Sequence, residues 1–190
     1  ITVSNTPGYG APYVSEHALT LALSISRQIV QNDRHIRAGG WTRGFIDELY
    51  GKTLGVVGTG AIGQRMIALG NAIGMTVVAW TLPPTQERGL TYGVEFVTLE
   101  ELLSQSDVIS IHVALSNETE QLIGATELRL MKETSILINT ARGGVLDQEA
   151  LLECLLEKRI AGAGLDVFES EPLPTGPPLI HLENVVLSPH

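Results

Sequence analysis

From residue 53 onward, short runs of β-branched and other apolar residues alternate with stretches in which apolar residues recur every three or four positions. The runs predict strands at Leu54–Val57, Thr76–Trp80, Val94–Val97, Val108–Val113, Ser135–Asn139, Ala163–Val167 and Val185–Leu187. Helical spacing fits Ala61–Ala72, Leu99–Ser104, Ala125–Met131 and Gln148–Glu157 between them. This order predicts an α/β fold, a doubly wound parallel sheet of Rossmann type with flanking helices and ligands at the carboxyl ends of its strands. Upstream, Val14, Ala18, Leu21, Ala22, Ile25 and Ile29 stand at helical spacing, predicting one long helix over 14–30. Leu19 and Leu23 make it apolar on more than one face. Such a helix is deeply buried or shared with a second subunit, and a homodimer through the 14–30 helix is the expectation.

The junction after the first strand of the alternating region narrows the ligand. Gly58-Thr59-Gly60-Ala61-Ile62-Gly63 follows the run Leu54–Val57 and opens a helical stretch. In a dinucleotide-binding turn the first glycine makes the tight strand-to-helix turn, and the second lets the backbone approach a pyrophosphate. The third lets helix and strand pack closely, while the phosphates sit on the helix N-terminus. Those places fall to Gly58, Gly60 and Gly63.

Composition removes other classes. With 190 residues, 44% hydrophobic and 17% charged, the chain suits one globular unit able to bury about 70% of its unfolded surface. Residues 1–190 are accordingly taken as a single dinucleotide-binding domain. A formal charge of −9 argues against a nucleic-acid surface, which needs clustered Lys and Arg to displace counterions. The most apolar stretch, 18–30, is interrupted by Ser24, Ser26 and Arg27 and falls short of a membrane span. The single Cys154 excludes an internal disulfide framework; its helical surroundings suggest a buried thiol, and a reducing cytoplasm fits best.

Polar residues cluster where the expected strands end. The run 135–139 leads into Thr140-Ala141-Arg142-Gly143-Gly144, the next carries Asp166 at its end, and the last is followed by Ser188-Pro189-His190. With Asn5-Thr6-Pro7-Gly8, Gly40-Trp41, the segment 51–63, Ile109-Ser110-Ile111-His112-Val113, Asp166-Val167-Phe168-Glu169-Ser170-Glu171-Pro172 and Asn184–His190, these segments make the chain resemble the D-isomer-specific 2-hydroxyacid dehydrogenases over nearly its whole length.

The resemblance implies a catalytic arginine at Arg142, an acid at Glu171 and a histidine at His190. Chemistry supports the types: a guanidinium holds the carboxylate of a 2-oxo acid in a forked pair and aligns its C2 for hydride delivery. The oxygen at C2 must then take a proton, which a histidine can give, with Glu171 orienting it. The resemblance further implies that Asp166 holds the nicotinamide carboxamide and that Ala61 and Ile62 meet the pyrophosphate through their backbone. Val113, Ala114, Thr119, Thr140 and Ala141 would line the cofactor. Ala114 stands where relatives often have Pro.

Thr81 is the larger departure, because relatives that prefer NAD usually carry an Asp there, accepting hydrogen bonds from the adenosine ribose. NAD is the expected cofactor and NADP its rival, with Arg88 on the same loop a candidate for a 2′-phosphate. Gly51-Lys52-Thr53 fails as a nucleoside-triphosphate loop, since Ile46 occupies the first glycine position and the segment precedes its strand. His17, His35 and His181 lack partners at metal-ligand spacing, so no metal is expected, and His112 reads as a structural histidine near the cofactor. The expected partner is a small 2-hydroxy or 2-oxo acid, the choice among hydroxypyruvate, glyoxylate and phosphoglycerate chemistry being left open. In the family the nucleotide domain is inserted into a substrate domain, so this chain is expected to bind cofactor but turn over poorly alone. The alternative is a dinucleotide-sensing corepressor of the same fold.

Overall fold

In a computed structural model that describes residues 4, 6, 8–41, 47–82, 93–174, 176 and 178–190, the apolar runs pair into one seven-stranded parallel sheet. The strands are β1 (Thr53–Val57), β2 (Thr76–Trp80), β3 (Glu95–Phe96), β4 (Val108–Ile111), β5 (Ile136–Asn139), β6 (Gly162–Leu165) and β7 (Val185–Leu187), in the order β3-β2-β1-β4-β5-β6-β7. The helices are α1 (Ala11–Ser26), α2 (Ile29–Arg37), α3 (Ala61–Ala72), α4 (Leu99–Gln105), α5 (Ala125–Leu130) and α6 (Gln148–Leu156). The expected doubly wound α/β sheet is therefore present.

Both faces of the sheet are covered, and the strand residues divide between them by the two-residue period of the pleat. Leu54, Val56, Ile136 and Ile138 join Ala18, Leu21, Met66 and Ile67 in one core, under α1 and α3. Val57, Ile109, Ile111 and Leu137 join Leu102, Leu103, Leu128 and Leu151 in the other, under α4, α5 and α6. Each fully buried Leu or Ile of this kind contributes about 1.5–3 kcal/mol.

Register brings the carboxyl ends into line. Trp80 pairs with Val57, Val57 with Ile111, Ile111 with Asn139, Asn139 with Leu165 and Leu165 with Leu187. The next residues, Thr81, Gly58, His112, Thr140, Asp166 and Ser188, consequently emerge in one row. The strand order reverses between β1 and β4, which opens the crevice of a doubly wound sheet beside Gly58. This line also explains why some strands are shorter than their apolar runs. His112 and Asp166 each make one last backbone bond, to Val57 and Asn139, and the chain then turns away, so Val113 and Val167 lie outside the ladder.

The expected 14–30 helix is corrected. It ends at Ser26, and Gln28, at φ 50°, turns the chain in the left-handed region before α2 begins. The reason for assigning its second face to another subunit also weakens, because α1 lies on the sheet itself, against β5, β6 and β7. Leu19 is half-buried against that core and Leu23 is exposed.

Candidate active site

Between β1 and α3 the glycine turn has the steric signature of a ligand cradle. Gly58 lies at φ 99°, a left-handed conformation that side chains disfavour. A Cβ on Gly63 would collide with the Gly58 carbonyl, so only glycine lets α3 pack on the turn. A Cβ on Gly60 would meet nothing within 4 Å, so the protein's own packing makes no demand for glycine there. The space over Gly60 is available to a ligand. The first turn of α3, with Ala61 exposed and Ile62 half-buried, has no side-chain cap, which leaves backbone N–H groups for an anion.

Gly58, Gly60, Thr81, Val113, Ala114 and Thr119 line one cavity of about 550 Å³ at this turn, which brings together six of the expected cofactor residues. Thr59 and His112 line it too. Thr59 Oγ1, His112 Nδ1 and Thr140 Oγ1 are buried without a hydrogen-bond partner among the described residues, as expected of groups awaiting a polar ligand. A nicotinamide dinucleotide fits this donor set. Thr119 is internal mortar: its hydroxyl donates to the Ala114 carbonyl at 2.6 Å and accepts from Ser116 N–H at 2.8 Å. Thr81 is buried and neutral at the end of β2, while Arg88 lies outside the described residues.

The loop after β5 positions the arginine. Buried Asn139 accepts from Ala141 N–H and donates to the Arg142 carbonyl, both at 3.0 Å, folding 139–142 back on itself. Thr140 and Ala141 are held buried as a result. Gly143 then passes so close to Phe168 that a Cβ would strike its carbonyl, which draws this loop onto the 166–171 loop. Arg142 is exposed, with Nη1 donating to the Ala141 carbonyl at 2.6 Å. Arg142, Glu171, His190 and Leu115 share a cavity of about 440 Å³.

Glu171 is held at both oxygens: Oε1 accepts from Phe168 N–H at 3.0 Å and Oε2 from His190 Nδ1 at 2.7 Å. The His190 hydrogen bond, then the Phe168 N–H, hold the Glu171 carboxyl below its ordinary value. Because a carboxylate only accepts, Nδ1 carries the hydrogen, and Nε2 is the nitrogen free to serve a substrate. The neighbouring Glu169 is committed elsewhere, accepting from Gln148 N–H at 3.1 Å. The expected triad of Arg142, Glu171 and His190 is thus gathered around one opening.

Asp166 is half-buried, and its Oδ1 accepts from Ser188 Oγ at 2.6 Å and lies 3.2 Å from His17 Nε2. Sequence reasoning missed the roles of three residues here. Asn139 carried a local signal, an Asn at a strand end before a loop. Ser188 sat inside a quoted motif. His17 gave none, since its partner Ser188 lies 171 positions away.

His112 is bonded to Ser110 Oγ at 2.8 Å, and burial pushes its imidazole down to about 4 from 6.5. Because the folded value lies below the unfolded one, the unfolded chain takes up a proton first as pH falls, and stability drops through that window. Between pH 7 and pH 5 this group is expected to remove about 2 kcal/mol. Urea unfolding of the chain and of His112→Asn at both pH values checks it; equal losses in the two proteins would refute the assignment.

Residues 19–190 match the family described as D-isomer specific 2-hydroxyacid dehydrogenase, NAD binding domain. The whole chain is 44% identical to a glyoxylate reductase of Korarchaeum cryptofilum and covers 59% of it. A crystal structure of D-lactate dehydrogenase with NAD+ from Lactobacillus jensenii matches the whole chain at a TM-score of 0.88 and 31% identity, over 62% of its own length. An acyclic imino acid reductase in complex with NADPH and D-Arg matches it at 0.88 and 36%, over 60%. The chain thus spans about three fifths of the length of these relatives. All three bear the names of enzymes, and they lend the corepressor alternative no support.

Proposed function

The chain belongs to the D-isomer-specific 2-hydroxyacid dehydrogenase family, and from that premise we propose that it is the nucleotide-binding part of an oxidoreductase interconverting a D-2-hydroxy acid and its 2-oxo acid. The carrying observation is the His190–Glu171 pair, at 2.7 Å, opening onto the same cavity as Arg142. The glycine turn and Asp166 would hold a nicotinamide cofactor, which when bound would supply the hydride chemistry at C2. Arg142 binds the substrate carboxylate through its fork of N–H donors, which orients C2 and its oxygen. His190 Nε2 gives the proton that the C2 oxygen needs on reduction and takes it back on oxidation. Glu171 keeps the ring turned so that Nε2, and not Nδ1, faces the substrate.

Glyoxylate is the first substrate to test, given the 44% identity to a glyoxylate reductase. The panel should run glyoxylate, hydroxypyruvate, pyruvate and phosphohydroxypyruvate with NADH and NADPH, on a protein containing the whole chain. Absence of turnover on every 2-oxo and 2-hydroxy acid would sink the reading.

We assign cofactor choice to the wall at Thr81, a neutral group where a carboxylate would repel a 2′-phosphate. Thr81→Asp is expected to raise the NADH-to-NADPH ratio of kcat/KM by about tenfold or more, since opposing like charges in a cavity cost several kcal/mol. An unchanged ratio would place selectivity elsewhere.

A further inference from the structure

Helix α1 belongs to no cofactor motif, yet it delivers a side chain to the row of strand ends. It runs antiparallel to β6 in matched steps. Ile25 lies over Gly162, and Leu21 lies over Gly164, where a Cβ would stand 2.9 Å from the Leu21 Cβ. Four helical residues advance about 6 Å and two strand residues about 6.6 Å. The next step therefore sets His17 against Asp166, and its Nε2 stands 3.2 Å from Asp166 Oδ1 and 2.8 Å from Ser188 Oγ.

Hydrogen counting orders this trio. Ser188 has one hydroxyl hydrogen, and it goes to Asp166 Oδ1 at 2.6 Å. Ser188 Oγ must then accept from His17, so Nε2 carries a hydrogen. Asp166 Oδ1 is occupied, and no described residue bonds Oδ2. We propose that His17 is a positioning residue for the nicotinamide end of the cofactor: with Ser188 it locks the Asp166 carboxylate so that Oδ2 alone is presented to the carboxamide N–H. This rests on the dinucleotide reading above and adds a residue from outside the nucleotide motif.

ADP-ribose separates the two claims, because it carries the pyrophosphate and adenosine but no nicotinamide. Dissociation constants for NADH and ADP-ribose are measured by calorimetry on the full chain and on His17→Leu, His17→Gln and Ser188→Ala. Leu at 17 is expected to weaken NADH about tenfold and leave ADP-ribose within about twofold, in line with losing a hydrogen bond to a charged group. Gln, which keeps an N–H donor, is expected to restore most of the NADH affinity. Ser188→Ala cuts the relay without touching α1 and is expected to repeat the selective loss, including where the Leu variant does not fold. Parallel losses for both ligands, or unchanged NADH binding in Ser188→Ala and His17→Leu, would overturn the proposal. A wild-type chain that binds neither ligand would instead overturn the dinucleotide reading itself, and this inference with it.

Discussion

His190→Gln is expected to lower kcat for reduction of a 2-oxo acid by about 10²–10⁴-fold, the usual worth of a positioned general acid. Gln retains polarity and length but cannot release a proton near neutral pH. NADH affinity should stay within about twofold, because His190 does not line the cavity at the glycine turn, which is left untouched. Glu171→Gln should have a smaller effect on kcat, since its single carbonyl oxygen cannot accept from both Phe168 N–H and His190 Nδ1 and the charge beside the ring is lost, while the proton donor stays in place. Single-turnover and steady-state rates on the form of the protein that turns over measure both. A His190→Gln enzyme within threefold of wild type would remove His190 from the proton transfer.

Arg142 carries the second large effect. Arg142→Ala is expected to cut kcat/KM by about 10²–10³-fold, because the substrate carboxylate loses a charge-assisted forked pair and with it the alignment of C2. Arg142→Lys retains the charge and should recover only part of that loss, since one ammonium cannot reproduce two parallel N–H donors. The geometric argument is that Asn139 folds the loop and Gly143 draws it onto Phe168, so the guanidinium starts at a set place on the cavity wall. Steady-state kinetics with a 2-oxo acid and with the aldehyde lacking its carboxylate provide the check. An equal loss on both compounds would mean that Arg142 does not read the carboxylate.

Some of this was legible before any coordinates. Among the described residues, repeated apolar runs and helical spacings named every strand and five of the six helices, α1 with its C-terminal end overrun, because periodicity is a local property and burial on both faces of a parallel sheet leaves long apolar runs. Helix α2 and the break before it were not legible: Gln28 takes a left-handed φ of 50°, and nothing about a Gln in sequence announces that. The strand ends were overrun at Val113 and Val167 for a similar reason, since an apolar residue does not say whether a neighbouring backbone is there to bond it.

The candidate site divides in the same way. The sequence by itself determined the chemical inventory: three glycines at turn spacing, an arginine, a carboxylate and a histidine after successive strands, and a neutral Thr81 in place of an acid. Only the tertiary structure decided which of these meet. It gave Asn139 and Gly143 the task of placing Arg142 and carried His17 to Asp166. The physical reason is that type and spacing act within a few residues along the chain, whereas hydrogen bonds and close approaches depend on strand register and on which glycines let a helix reach the sheet.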